Sequence, residues 1–160
     1  MKNGFLLVLF LAFSILTGFE HQDKLEITDT EITVIQSEGL LRYDFKIKNN
    51  GEIPIESDFD YPGQHPFGIE FVIRPNEKLS EVMVMEKRTN YNKMFSLGSG
   101  HSGYFEPNTE MSVHLEYKMK DDVNPEKVKK LAYDSTLLIL DGVDIAIEFP
   151  LQEIKEKLSN

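Results

Sequence analysis

Residues 98 to 103 read GSGHSG, and they hold the two patterns in this chain that come nearest to catalytic signatures. The glycines satisfy G-x-G-x-x-G, a spacing that cradles a pyrophosphate when it follows a strand and opens a helix whose N-terminus receives the anion. Here the stretch runs into Tyr104-Phe105-Glu106-Pro107, which does not start a helix, and no strand-helix-strand unit surrounds it. The same letters contain Gly-His-Ser-Gly, close to a serine nucleophile elbow. That elbow needs glycine two residues after the serine, where this chain has Tyr104. His101 is also the direct neighbour of Ser102, a placement that rarely lets an imidazole reach the adjoining hydroxyl. GSGHSG therefore reads as a flexible loop, with no cofactor and no catalytic residue assigned to it.

The other histidines are His21, His65 and His114. His114 falls on the polar face of an alternating segment and reads as solvated. His65 and His101 sit in segments of similar composition, YPGQHPFG and GSGHSGYF, and would form a weak metal site if those segments met. Counting strand directions sets them at opposite ends of a sandwich if Met94 to Leu97 is a strand, and allows one shared end if it is a loop. Asp58, Asp60, Asp121, Asp122, Asp141 and Asp144 supply carboxylates, but calcium wants roughly six to eight converging oxygens and a D-x-D pair brings few of them. They read as acidic surface, no metal ligand is assigned, and no pair is singled out for glycoside hydrolysis.

The binding candidate is the loop from Tyr61 to Gly68. Its prolines and glycines shape a stiff backbone around Tyr61, His65 and Phe67, and aromatic side chains are frequent anchors at protein interfaces. The alternative has Tyr61 and Phe67 capping the end of a core.

Those groups need a scaffold, and the chain begins with a segment that is not part of one. Met1-Lys2-Asn3 carries a positive charge, Gly4 to Leu16 (GFLLVLFLAFSIL) has none, and Thr17 and Gly18 are small. That order is the pattern of a secretory signal, and the run is shorter than the ~20 residues that cross hydrocarbon. The expectation is an export signal over residues 1 to 18 cleaved after Gly18, with an uncleaved N-terminal anchor as the alternative. Leu16 is large for the −3 position of such a cut. Leu16-Thr17-Gly18 also has the form of a lipobox, but Phe19 stands where the lipid-bearing cysteine belongs, and the chain has no cysteine. That excludes lipidation at this motif, disulfides, thiolate catalysis and Cys-based zinc sites. The net charge of −10 repels phosphate backbones and anionic lipid, so no nucleic-acid partner is expected, and membrane contact only through the N-terminal segment.

From residue 24 onward the apolar side chains recur every second position, the mark of half-buried strands. In LLRYDFKIK, Leu41, Tyr43, Phe45 and Ile47 share one face; in MSVHLEYK, Met111, Val113, Leu115 and Tyr117 do. Leu25 and Ile27 have one parity and Ile32 and Val34 the other, so a bulge or bend at Asp29-Thr30 is expected. Further strands are expected over Ile69 to Ile73, Ser80 to Glu86 and Met94 to Leu97. Asp141-Gly142 between TLLIL and VDIAIEF has the composition of a two-residue type I′ hairpin. It would set Leu140 against Val143 and leave Leu137 and Ile139 on an outer face needing cover. Asn49-Asn50-Gly51 fits a three-residue loop with Gly51 left-handed, pairing Ile47 with Ile53 and Phe45 with Ile55. A two-residue loop would set Ile47 against Pro54, and a third option has Ile53 to Glu56 crossing to a second sheet. One short helix is expected, capped by Asn124 with Pro125 in its first position and Val128, Leu131 and Ala132 as its apolar stripe. Residues 151 to 160 read as a short amphipathic or frayed tail. About eight short strands between turn signals point to a single β-sandwich over residues 24 to 150.

Two stretches also resemble a known group. DFKIKNNGEIPI is similar to the opening region of bacterial extracytoplasmic immunoglobulin-like modules, and FEPNTEMSVHLEY to their second landmark, an aromatic or aliphatic residue, Pro-Gly-x-Glu and an alternating strand. Asn108 stands where that group has glycine, with Pro107 and Glu110 in matching positions. The group includes telokin-like and proteinase-inhibitor-like modules, and the resemblance spans roughly residues 40 to 118. It implies an all-β, immunoglobulin-like antiparallel sandwich and a cell-envelope setting. The resulting expectation is an exported, non-enzymatic protein that binds a protein or small ligand. The alternatives are protease inhibition through an exposed loop, for which no inhibitory motif can be matched, and weak metal binding.

Overall fold

The alternation in residues 40 to 48 has its physical outcome in a strand paired on both sides. In chain order the strands are β1 (Leu25–Ile35), β2 (Leu40–Asn49), β3 (Ile69–Arg74), β4 (Ser96–Ser102), β5 (Glu110–Lys118), β6 (Thr136–Asp141) and β7 (Asp144–Pro150). The structure, a computed structural model, describes residues 22–57, 68–87, 91–102 and 104–159. The expected export signal over residues 1 to 18 and the binding candidates Tyr61, His65 and Phe67 lie outside the described residues. Two antiparallel sheets form, one in the order β1-β2-β5-β4 and the other β3-β6-β7.

The sheets face each other across one core. Leu41, Tyr43 and Ile47 of β2 and Val113, Leu115 and Tyr117 of β5 are buried against Ile73, Leu137 and Ile139 of the second sheet. Each such side chain contributes about 1.5–3 kcal/mol on leaving water. Tyr117 meets Tyr43 edge-on with ring centroids 6.1 Å apart, and its hydroxyl oxygen accepts the Ile73 backbone N–H at 2.9 Å. That bond ties the two sheets together. The register of β1 against β2 shifts between Ile27 and Asp29, one residue before the expected irregularity, and brings Leu25, Ile27 and Ile32 to one buried face.

Among the described residues three short α-helices accompany the sheets: α1 (Glu77–Ser80), α2 (Pro125–Ala132) and α3 (Leu151–Leu158). α2 is the expected one. Asn124 Oδ1 accepts from the Glu126 and Lys127 N–H groups, with Pro125 next to the cap. α3 realises the amphipathic tail, burying Leu151 and leaving Leu158 exposed. Both α2 and α3 pack on β1, and α3 also on β7. Lys157 Nζ of α3 reaches Glu26 Oε1 of β1 at 2.5 Å. Among the described residues no helix is long and apolar enough to cross a membrane.

Several local expectations are overturned. Ile47 pairs with Ile27 on one side and Met111 on the other, so β2 has no free edge for a hairpin with Ile53. Gly51 is absent from the residues with positive φ. It must be glycine for another reason: a Cβ there would lie 2.9 Å from Asn49 Oδ1. Buried Asn49 accepts the Gly51 N–H and donates to the carbonyls of Ile53 and Phe105. The chain then crosses toward the second sheet, where Ser57 Oγ bonds Asp141. That contact holds Asp141 inside the ladder opposite Asp144, so the turn is Gly142-Val143 with positive φ at Gly142 alone, the II′ pattern. A register shift between Ile139 and Leu140 follows. Leu137 and Ile139 therefore face the main core, while Leu138 and Leu140 take the outer face, covered together with Val72 by Tyr91. Ser80 to Glu86 is not a strand: Asn76 Oδ1 caps α1 through the Leu79 N–H at 2.7 Å, and only isolated bridges at Met83 and Met85 follow.

Candidate functional site

The largest correction concerns GSGHSG. Its residues Gly98 to Ser102 form most of β4, the edge strand beside β5, and among the described residues the next element is β5, with no helix between to receive a pyrophosphate. The strand alternates by chemistry. Gly98 and Gly100 lie opposite Glu116 and His114 on the outer face, and Ser99 and His101 lie opposite Leu115 and Val113 on the inner one. A Cβ on Gly100 would sit 2.5 Å from His114 Cε1, and one on Gly98 would sit 3.2 Å from Glu116 Oε2. The glycines are there because β5 side chains lie over them.

On the inner face, Ser99 and His101 are exposed although they point between the sheets. The sandwich is open here. A cleft of about 390 Å³ runs between β3 and β4, walled by Phe71, Ser99, His101, Val113 and Tyr117, with Lys93 at its rim. Phe71 holds the position, its ring centroid 6.2 Å from that of His101 and 6.0 Å from that of Phe105. Tyr104 stands beside His101 at 6.2 Å. Lys93 Nζ and Glu70 Oε1 pair across the rim at 2.6 Å. Burial pushes the Tyr117 hydroxyl well above the ordinary tyrosine value of 10.0, against the opposing pull of its bond to the Ile73 backbone, so at neutral pH this hydroxyl is uncharged. The cleft thus offers an aromatic surface, neutral hydroxyls, an imidazole and one closed ion pair.

The other sequence candidates do not converge on it. Ser102 Oγ accepts the Ser112 backbone N–H at 3.1 Å. His114 lies on the outer face, as its parity implied, and no bond joins it to His101 across the sheet. Among the described residues no group of three or more His, Asp or Glu side chains is arranged to hold a metal ion. Tyr61, His65 and Phe67, and with them the proposed His65–His101 pair, lie outside the described residues. The sequence reading singled out His101 but missed Phe71 and Ser99. The signal was present in SLGSGHS, where glycines hold one parity and Ser99 and His101 the other.

Outside the cleft, Arg42 on the outer face of β2 donates to both Asp44 oxygens at 2.8 and 2.7 Å and to Glu116 Oε1 at 3.2 Å. The Asp44 carboxylate, and then Glu116, raise the pKa of this guanidinium. Comparison of the chain with protein-family models, with curated proteins and with solved structures gave no significant match.

Proposed function

We propose that this chain is an exported, immunoglobulin-like β-sandwich that works by holding a partner protein at its open β3/β4 side, with no catalytic step. The order β1-β2-β5-β4 facing β3-β6-β7 corresponds to strands A-B-E-D facing C-F-G of a constant-type immunoglobulin domain. Asn108, at the position where the resembling modules have glycine, adopts φ 55, a conformation that glycine takes freely and asparagine tolerates better than most. Both observations support the resemblance. The uncharged run from Gly4 to Leu16 supports export.

The observation that carries the binding reading is the cleft. A sandwich gains stability by filling the space between its sheets, yet here the inner face of β4 presents Ser99 and His101 to solvent beside Phe71. Interfaces use such half-open aromatic surfaces rimmed by polar groups. The test is site-specific photo-crosslinking in the native producing cells, with the reactive group placed at Ser99 or, as a control on the far side, at Glu153. Adducts to an extracytoplasmic protein from Ser99 and none from Glu153 are expected. Adducts from Glu153 alone, or a measured turnover with no adduct from Ser99, would contradict the reading.

A further inference from the structure

The open side has an outer lip, and its chemistry specifies the kind of segment that fits. β4 has β5 on one side and, among the described residues, no strand on the other. In an antiparallel sheet every second residue of such a strand aims its N–H and C=O away from its neighbour, a template for an added strand. The pairing of β4 shifts between Ser96 and Gly98, and beyond that irregularity the edge from Gly98 to Ser102 is regular and holds no lysine, no proline and no carboxylate.

The carboxylate of Glu116 leans toward this edge from the strand behind. Its Oε1 accepts from Arg42 Nη1. Its Oε2 reaches over Gly98, 3.2 Å from where a Cβ would stand, and accepts no hydrogen bond from the described residues. An added strand would run about 4.8 Å beyond β4, which puts Glu116 Oε2 within reach of a lysine or arginine laid across the bare glycine. Side chains of opposite parity on the same strand would enter the cleft beside Phe71. The chain's net charge of −10 favours approach of a basic segment from a distance.

We infer that β4 accepts an extended segment of a partner protein as a further strand of its sheet, one that alternates basic and apolar side chains. The apolar side chains occupy the β3/β4 cleft and the basic ones cross Gly98 to Glu116. This rests on the binding reading above and adds the chemistry of the occupant.

The probe is the synthetic peptide Lys-Val-Lys-Phe-Lys-Val-Lys, compared with a version N-methylated at alternate backbone nitrogens and a version with glutamate for each lysine. Backbone amide shifts of the isotopically labelled exported protein are followed during titration. The lysine peptide is expected to give saturable shifts centred on Leu97 to Ser102 and the cleft, and the other two to bind at least about tenfold more weakly, a difference of roughly 1.4 kcal/mol. Gly98→Lys fills the lip and pairs with Glu116 at the cost of moving only a flexible carboxylate. It should weaken the lysine peptide about tenfold, and Glu116→Gln should weaken it several-fold while the amide spectrum of the free protein still shows the folded sheet. Equal binding of the N-methylated or glutamate peptide would overturn the inference, as would shifts away from β4 or no saturation by about 1 mM, the range of a free energy near −4 kcal/mol. Concentration-dependent shifts in β4 without peptide would assign the edge to a second copy of this chain and also overturn it. If the Ser99 crosslink to a partner persists undiminished in Gly98→Lys, strand addition fails while the binding reading stands. Absence of any Ser99 adduct strikes the binding reading itself.

Discussion

The two sides of this sandwich solve the same problem in opposite ways. Each sheet ends in an edge strand on either side, β1 and β7 on one, β4 and β3 on the other. At the first, α2 and α3 pack against β1, α3 also against β7, and Leu151 is fully buried. At the second, inward-facing Ser99 and His101 stay exposed and a cleft remains. An edge that only had to be stable would be closed like the first; leaving the second open forgoes burial, and that difference motivates a binding role for it.

The sharpest contrast comes from truncating one side chain on each side. Leu151→Ala removes a fully buried side chain on the closed side and should cost about 2–5 kcal/mol, whereas Ser99→Ala in the cleft should stay within about 0.5 kcal/mol. Urea unfolding measures both, and comparable losses would mean that the open side is packed after all. Tyr117→Phe comes next. It takes the acceptor from the Ile73 N–H, the bond that joins the sheets next to the cleft, and should cost about 1–3 kcal/mol and speed exchange of the Ile73 amide. Asn124→Ala removes the cap of α2 and should cost about 1 kcal/mol, read as a lower midpoint with β4 amide shifts unchanged.

The smallest effect is electrostatic. The bond from Lys157, with help from Asn50, holds the Glu26 carboxyl below its ordinary value of 4.5. A carboxylate lowered on folding stabilises the fold above its unfolded pKa, and that contribution fades as pH falls through the folded value. Below about pH 4.5 hydrogen exchange in α3 should therefore quicken before that in β2, and Glu26→Gln should abolish the difference. The pair is largely exposed, so the change will be modest.

Much of this frame is legible in the sequence where alternation is strict. Leu41, Tyr43, Phe45 and Ile47, and their counterparts in β5, alternate with charged or polar residues that fix which face turns inward. Asn124-Pro125 fixes a helix start in the same local way. TLLIL carries no such information, since apolar residues at every position fit either parity, and a contact from Ser57 to Asp141, eighty-four residues apart, decides the turn and register. The site was harder still. Glycine lowers strand propensity, so GSGHS has the composition of a loop; only the overhanging His114 and Glu116 on the next strand explain why glycine belongs there. His101 was visible as a candidate, but its aromatic neighbour Phe71 comes from the opposite sheet, and nothing local in the sequence joins them.

The most direct test of the open-side claim is solvent paramagnetic relaxation by a soluble gadolinium chelate, read amide by amide on the free protein. The account predicts strong broadening at alternate amides from Leu97 to Ser102, weaker broadening along β1 and β7, and little in β2, which is paired on both sides. Amides of β4 as sheltered as those of β2 would mean that the edge is already occupied, and would contradict it.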